Sequence, residues 1–437
     1  PHLFVGPSEV SVAAGVKPDD LKPEGFHLKV VGQDIHLVGR DTDGDPTKIS
    51  TNYPVQTGTL TAVYDFLERF LGVVFAWHDD LGTIVPHHET VTIPATDVTQ
   101  NPAWAYRALS YSPEKATYAL YGRRLRLGVA FTVQHSHNWF QILPVEKYGA
   151  EHPEYYALVN GERQARYYMG HHGGQACTSN PAVIDIFAQA AIAYFKQYPD
   201  RDMFSLSPND GGGFCECDNC RALDGGEFTK ANPTIPVMTD RMIHFYNAIA
   251  EKVAKVYPDK KLGAYVYSYY QRPPIREKKI HPMLYLVQAT NSAFGQGQGW
   301  AEEHEGEKKW VALTQHFDKY DIYYLGGPAL HMMAPLTTHA IERLKAEQAI
   351  GLHGGYLYMG QAYEQLGAAH YLMARLMWDG KADARKLEKQ YYDALYGPAS
   401  ADVKQYYDLL EGRLRKVLLD NETVDEPAVK ALTTRYE

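Results

Sequence analysis

Eight short apolar stretches alternating with longer stretches of helical period predict an α/β fold, a (β/α)8 TIM barrel, over the middle of the chain. A small α/β domain with a mostly antiparallel sheet precedes it, and C-terminal helices follow. The change of pattern near residue 100 sets the first boundary, and the loss of strand-like stretches near residue 381 sets the second, giving segments 1–100, 101–380 and 381–437. Length agrees, because 437 residues exceed one ordinary core while a barrel needs roughly 250 residues.

In the first segment, "GFHLKVVGQDIHLVGR" (25–40) alternates apolar and polar residues around Gly-Gln-Asp and reads as a hairpin. "GTLTAVYDFLERFLG" places Leu60, Val63, Tyr64, Leu67 and Leu71 at helical spacing, with Gly72 to end the helix. "VVFAW" and "TIVPHHETVTI" read as further strands, and "ATDVTQNPA" as a linker. The barrel strands are expected at 105–111, 128–133, 155–159, 203–207, 262–270, 283–289, 321–327 and 354–360, with "VIDIFAQAAIAYFKQY" and "VMTDRMIHFYNAIAEKVAKVY" among the intervening helices. "DARKLEKQYYDALYG" and "ADVKQYYDLLEGRLRKVLL" are the C-terminal helices.

A net charge of −9 argues against nucleic-acid and anionic-membrane partners, and no apolar run reaches the ~18 residues that span a bilayer. The chain contains 33 tyrosines, whose flat amphipathic rings suit either sugar stacking or ordinary aromatic packing. Oligomeric state is not legible. The chain starts at Pro1, so any leader is absent from it.

Barrels of this kind carry their chemistry on loops beyond the C-terminal strand ends. There the sequence offers Arg107, the cluster His135, His137, Asn138 and Trp139, then Asn209 and Asp210 before three glycines. Later strand ends add Tyr265, Tyr267, Tyr269, Asn291, Tyr363 and Glu364. Asp210, Glu364 and Asn209 are the catalytic candidates, the two acids because glycoside cleavage needs one group to protonate the leaving oxygen and another to support the oxocarbenium-like centre. The others suit substrate binding: Arg107 as a fork for hydroxyls or a carboxylate, Trp139 and the tyrosines as platforms. Cys215, Cys217 and Cys220 form C-x-C-x2-C, and Cys177 completes four. One closed structural zinc site, disulfides and free thiols all fit that pattern. No catalytic cofactor is expected.

"GTLTAVYDFLERFLGVVFAWHDDLGTIVP", "HPEYYALVNGER", "CTSNPAVIDI", "FSLSPNDGGGFCECDNCRALDGG" and "YLMARLMWD" together resemble the family 163 glycoside hydrolases and related bacterial domains. The first of these is also similar to the domain that precedes the barrel in family 20 hexosaminidases and family 67 α-glucuronidases. "PAWAYRAL" resembles a family 20 first-strand motif, which implies a sugar-gripping role for Arg107. Where family 20 has an Asp-Glu pair, this chain has Asn209-Asp210, so Asn209 could still hydrogen-bond an acetamide without supplying charge.

The resemblance implies a retaining, substrate-assisted endo-β-N-acetylglucosaminidase acting on N-glycans or glycoproteins, exported to the periplasm, surface or exterior of a bacterium. Two alternatives remain. One is a glycan-binding protein without turnover, and the other an α-glucuronidase-like exo-enzyme with Arg107, Arg163 and Arg272 gathered around a uronate.

Overall fold

The computed structural model describes residues 1–47, 50–110, 115–168, 172–230, 232–290, 300–322, 336–358 and 363–418. Strands β1 (Leu3–Val5), β2 (Phe26–Val31), β3 (Asp34–Gly39) and β4 (Asp97–Gln100) form a sheet in the order β1-β3-β2-β4. The expected hairpin is β2-β3, with Leu28 opposite Leu37. The stretch read as a linker supplies β4, antiparallel to β2. "VVFAW" and "TIVPHHETVTI" contribute only the two-residue strands Val74–Phe75 and Thr83–Ile84, paired with each other.

Helix α1 (Gly58–Leu71) follows the predicted period and ends at Gly72 with φ 68°. Its Ala62, Val63, Phe66 and Phe70 cover Phe26, Leu28 and Leu37, while Leu60, Tyr64, Leu67 and Leu71 meet Val73 and Phe75. Helix and sheet touch backbone to backbone: a Cβ on Gly39 would lie 1.9 Å from the Gly58 carbonyl carbon, so both positions require glycine.

The second sheet is a curled, parallel-dominated half-barrel of seven strands. They are β5 (Tyr106–Ser110), β6 (Gly128–Val129), β7 (Met203–Ser205), β8 (Lys261–Val266), β9 (Leu284–Thr290), β10 (Phe317–Ile322) and β11 (Gly354–Tyr358), in the order β7-β8-β9-β10-β11-β5-β6. Only the β5-β6 pair is antiparallel. Of the eight expected strands, 155–159 lies outside this sheet; Leu158–Val159 instead pairs with Glu162–Arg163 as a small hairpin. The seventh, expected at 321–327, begins earlier, at Phe317, and residues 323–327 of that expectation lie outside the described residues. Every residue of β9 is buried, as a strand covered on both faces must be.

Helices α2 (Pro181–Gln197), α3 (Thr239–Val253), α4 (Trp300–Leu313), α5 (Thr337–Ala349) and α6 (Tyr363–Trp378) join or follow the strands, and α7 (Ala384–Tyr396) and α8 (Ser400–Leu418) close the C-terminal part. Asn180 caps α2 by accepting from the Ala182 N–H at 2.9 Å, and Asp383 caps α7 through Arg385 and Lys386. No helix among the described residues is long and apolar enough to cross a membrane.

Buried ion pairs join the two sheets. Arg107 donates to Glu24 at 2.6 Å, Arg126 to Asp65 and Glu68 at 2.9 and 2.8 Å, and Arg375 to Glu68. Trp378 from α6 stacks on Phe26 of β2 with the Arg107 guanidinium 5.3 Å from its ring centre.

Candidate active site

The chain beyond β7 is clamped from both sides. Ser207 donates its hydroxyl hydrogen to the His135 carbonyl at 2.6 Å, and its oxygen accepts from the Tyr265 N–H at 2.8 Å. Asn209 is buried: its Oδ1 accepts from the Phe140 N–H at 2.8 Å and its Nδ2 donates to the Gly174 carbonyl at 3.2 Å. Its own carbonyl accepts from Gln175 Nε2 at 2.7 Å. Gly211 and Gly213 then take φ of 101° and 75°, values that strain any side chain bearing a Cβ. The outcome of this locked turn is that Asp210 stands out from it, with its side chain 54% exposed.

Its neighbour is His137, whose Nε2 lies 3.7 Å from Asp210 Oδ1. His137 Nδ1 lies 2.5 Å from the Pro208 carbonyl, which can only accept, so Nδ1 carries the hydrogen. Nε2 is therefore the ring nitrogen without the hydrogen, and it is the one turned toward the carboxylate.

Tyrosine rings surround this pair. Tyr265 and Tyr267 lie 5.2 and 6.5 Å from the His137 ring, Tyr320 lies 5.8 Å from Tyr265, and Tyr356 stacks on Tyr320 at 5.0 Å. Burial, then neighbouring tyrosines and the Asp210 charge, raise the Tyr320 hydroxyl to about 12 and push Tyr265 up as well. Both stay neutral hydrogen-bond donors near neutral pH. His135 lies beneath, 5.1 Å from the Tyr265 ring, and burial followed by the nearby His137 lowers it to about 4, so it is uncharged. One half-exposed carboxylate set over an aromatic floor can serve as a general acid or base toward a ligand stacked on the rings.

Several candidates occupy other places. Trp139 is a core residue rather than a platform, with its Nε1 donating to the Leu206 carbonyl at 2.6 Å and its ring against Phe187 and Phe245. Asn138 donates to the Ser205 carbonyl at 3.0 Å and braces β7. Arg107 sits at the opposite, N-terminal end of its strand, bound to Glu24 and to the carbonyls of Arg126 and Trp104. That geometry ties it to the first sheet, away from Asp210.

Tyr269 lies beside the glycine turn and lines a 460 Å³ cavity with Gly213, Phe214, Glu216 and Arg276. Arg163 donates to the Tyr156 carbonyl and Arg272 lies 3.7 Å from Glu302, so these two and Arg107 are engaged separately. Tyr363 and Glu364 open α6 in the chain after β11, with side chains outside the described part, and Asn291 lies outside the described residues.

Tyr320, Tyr356 and Gln175 join the site without having been singled out by sequence. Tyr356 shares a strand face with Tyr358 by simple alternation, which was a usable signal. The cysteine sulfurs of residues 177, 215, 217 and 220 all lie within 4.8 Å of one another.

Residues 77–408 match the family model described as a domain of unknown function, DUF4838. The chain belongs to the DUF4838 family. No curated protein matches this DUF4838 chain. Among solved structures it is similar to a family GH115 4-O-methyl-α-glucuronidase with specificity for decorated arabinogalactans. The TM-score is 0.50 at 13% identity, over 95% of this chain and 56% of that one. A family 89 glycoside hydrolase from Clostridium perfringens gives 0.48 at 12%, over 88% and 48%. A β-N-acetylhexosaminidase from Bacteroides fragilis gives 0.44 at 11%, over 94% and 91%. The DUF4838 chain thus spans about half the length of the first two. The first of these likenesses shows a common fold.

Proposed function

We propose that this chain is a glycoside hydrolase acting on N-acetylhexosamine-containing glycans. The observation that carries the reading is Asp210: a half-exposed carboxylate at a parallel strand end, held out by a locked turn, with His137 Nε2 3.7 Å away. In this reading the Asp210 carboxyl gives its proton to the departing glycosidic oxygen and takes one back from the water that completes hydrolysis, with His137 beside it to orient the carboxyl. Tyr265 and Tyr267 offer ring faces and neutral hydroxyls to the sugar.

The resemblance to family 163 supports the finer form, a retaining endo-β-N-acetylglucosaminidase in which the substrate's own acetamide attacks the anomeric carbon. Glu364, at the head of α6, is then the group that orients the acetamide. The test is release of reducing glycan from a glycoprotein by the native chain, Asp210→Asn and Glu364→Gln. Loss of turnover in both variants with unchanged melting supports the assignment, and full activity in both sinks it.

Asn209 favours a second reading, glycan binding without turnover. Its amide faces the Phe140 N–H and the Gly174 carbonyl, so the Asn-Asp pair brings one carboxylate to the surface where family 20 has two acids. Saturable binding of intact glycan with no product over long incubation selects this reading.

A further inference from the structure

We infer that Cys177, Cys215, Cys217 and Cys220 hold one zinc ion, which cross-links the two segments that fix the Asp210 turn. Cys177 Sγ lies 3.7 Å from Cys215 Sγ and 3.8 Å from both Cys217 Sγ and Cys220 Sγ. Four sulfurs bound at about 2.3 Å to a tetrahedral ion stand about 3.8 Å apart, so the spacing is that of a metal cage. A disulfide needs about 2.05 Å, far inside these separations. With four thiolates around it the ion has no open position, so the site is structural.

The surroundings suit the net negative charge of a four-thiolate zinc centre. The Leu158 N–H points at Cys215 Sγ at 3.3 Å, Ser179 Oγ lies 3.1 Å from Cys220 Sγ, and Arg163 Nη1 is 3.9 Å from Cys215 Sγ. Ala157, Leu158 and Val159 pack around the sulfurs and keep water away. Arg241 fixes the ligand loop from behind, donating to the Cys215 carbonyl at 2.6 Å while paired with buried Asp224. Glu216, between two of the ligands, is turned aside to accept from the Asn160 N–H at 2.9 Å.

The consequence for the candidate acid follows from chain connectivity. Gln175, whose amide holds the carbonyls of Asn209 and Gly212, stands two residues before Cys177, and Cys215 stands five residues after Asp210. An ion bound to both cysteines fastens the holder to the held. This inference stands whether or not the chain cleaves glycans.

The experiment is elemental analysis of the full chain purified without added metal, followed by titration with an organomercurial while a chromogenic chelator reports released zinc. One zinc per chain, withstanding mild chelation and released in step with four mercurial equivalents, is the expected result. Cys217→Ser should abolish retention, and Ser179→Ala should weaken zinc affinity by about 10-fold. Four freely reactive thiols with no metal, a mass showing two disulfides, or iron in place of zinc would each overturn the inference. Because the native chain alone decides the matter, a variant that fails to fold does not obscure it.

Discussion

The two faces of the half-barrel handle charge in opposite ways. On the outer face, Lys319 of β10 is fully buried against Glu303, Glu307 and Glu347, while Arg343 contacts Asp321, Glu303 and Glu347. Burial raises Glu347 to about 8, against the pull of Lys319, a perturbation of the size found at functional sites. Yet these groups are buried and pair with one another between β10, α4 and α5. At the mouth, half of the Asp210 side chain faces solvent, and among the described residues its ion partner is a histidine 3.7 Å away. A perturbed and dense cluster here marks a structural brace, and a sparse exposed acid marks the candidate site.

Replacing Asp210 by Asn should produce the largest effect, a loss of roughly 10²–10⁴-fold in turnover with the fold intact, read by glycan release and by melting. Retained activity would erase the contrast between the two faces. Lys319→Met should do the reverse, leaving Glu307 without its lysine and Glu303 and Glu347 with Arg343 alone, and costing about 3–5 kcal/mol in a urea titration. If it melted like the native chain, the outer network would not be the brace described.

A third measurement uses His135, which lies between the two regimes. Its pKa in the fold, about 4, is below its ordinary 6.5, so the neutral form is the one the fold favours. Its contribution is complete above about pH 6.5 and is lost as pH falls toward 4, by up to roughly 3 kcal/mol. Urea midpoints should fall over that window, less steeply in His135→Gln; equal slopes would mean the histidine is hydrated. The smallest effect is expected from Asn209→Asp. The new carboxylate would face the Gly174 carbonyl where Nδ2 now donates, costing about 1–3 kcal/mol without raising turnover. A gain in activity would instead make this residue part of the chemistry.

The sequence makes the parallel strands and most helix positions legible because apolar runs and helical spacing are local. It misses the start of β10 for a physical reason. Phe317-Asp318-Lys319-Tyr320-Asp321 carries three charges, and such a run reads as a buried strand only when its partners are known. Here Lys319 and Asp321 find theirs on α4 and α5, while Asp318 meets Tyr285 of β9 and His353, just before β11.

The exposed position of Asp210 beyond its strand was readable from its place after an apolar stretch and before glycines. The roles of its neighbours were not, because residue type does not reveal direction. Asn209, Asn138 and Trp139 have the polarity of site residues, yet each spends its donors on a backbone carbonyl within reach. Likewise the cysteine spacing alone allowed three chemistries, whereas the separations between sulfurs favour one.

The arginines that join the two sheets bear on inheritance. The family match begins at residue 77, but Arg107, Arg126 and Arg375 lie beyond it while Glu24, Asp65 and Glu68 lie before it. A polypeptide cut at that boundary would carry orphaned cations in its interior. A fragment that keeps these pairs therefore has to begin before Glu24, well ahead of the region that the family match covers.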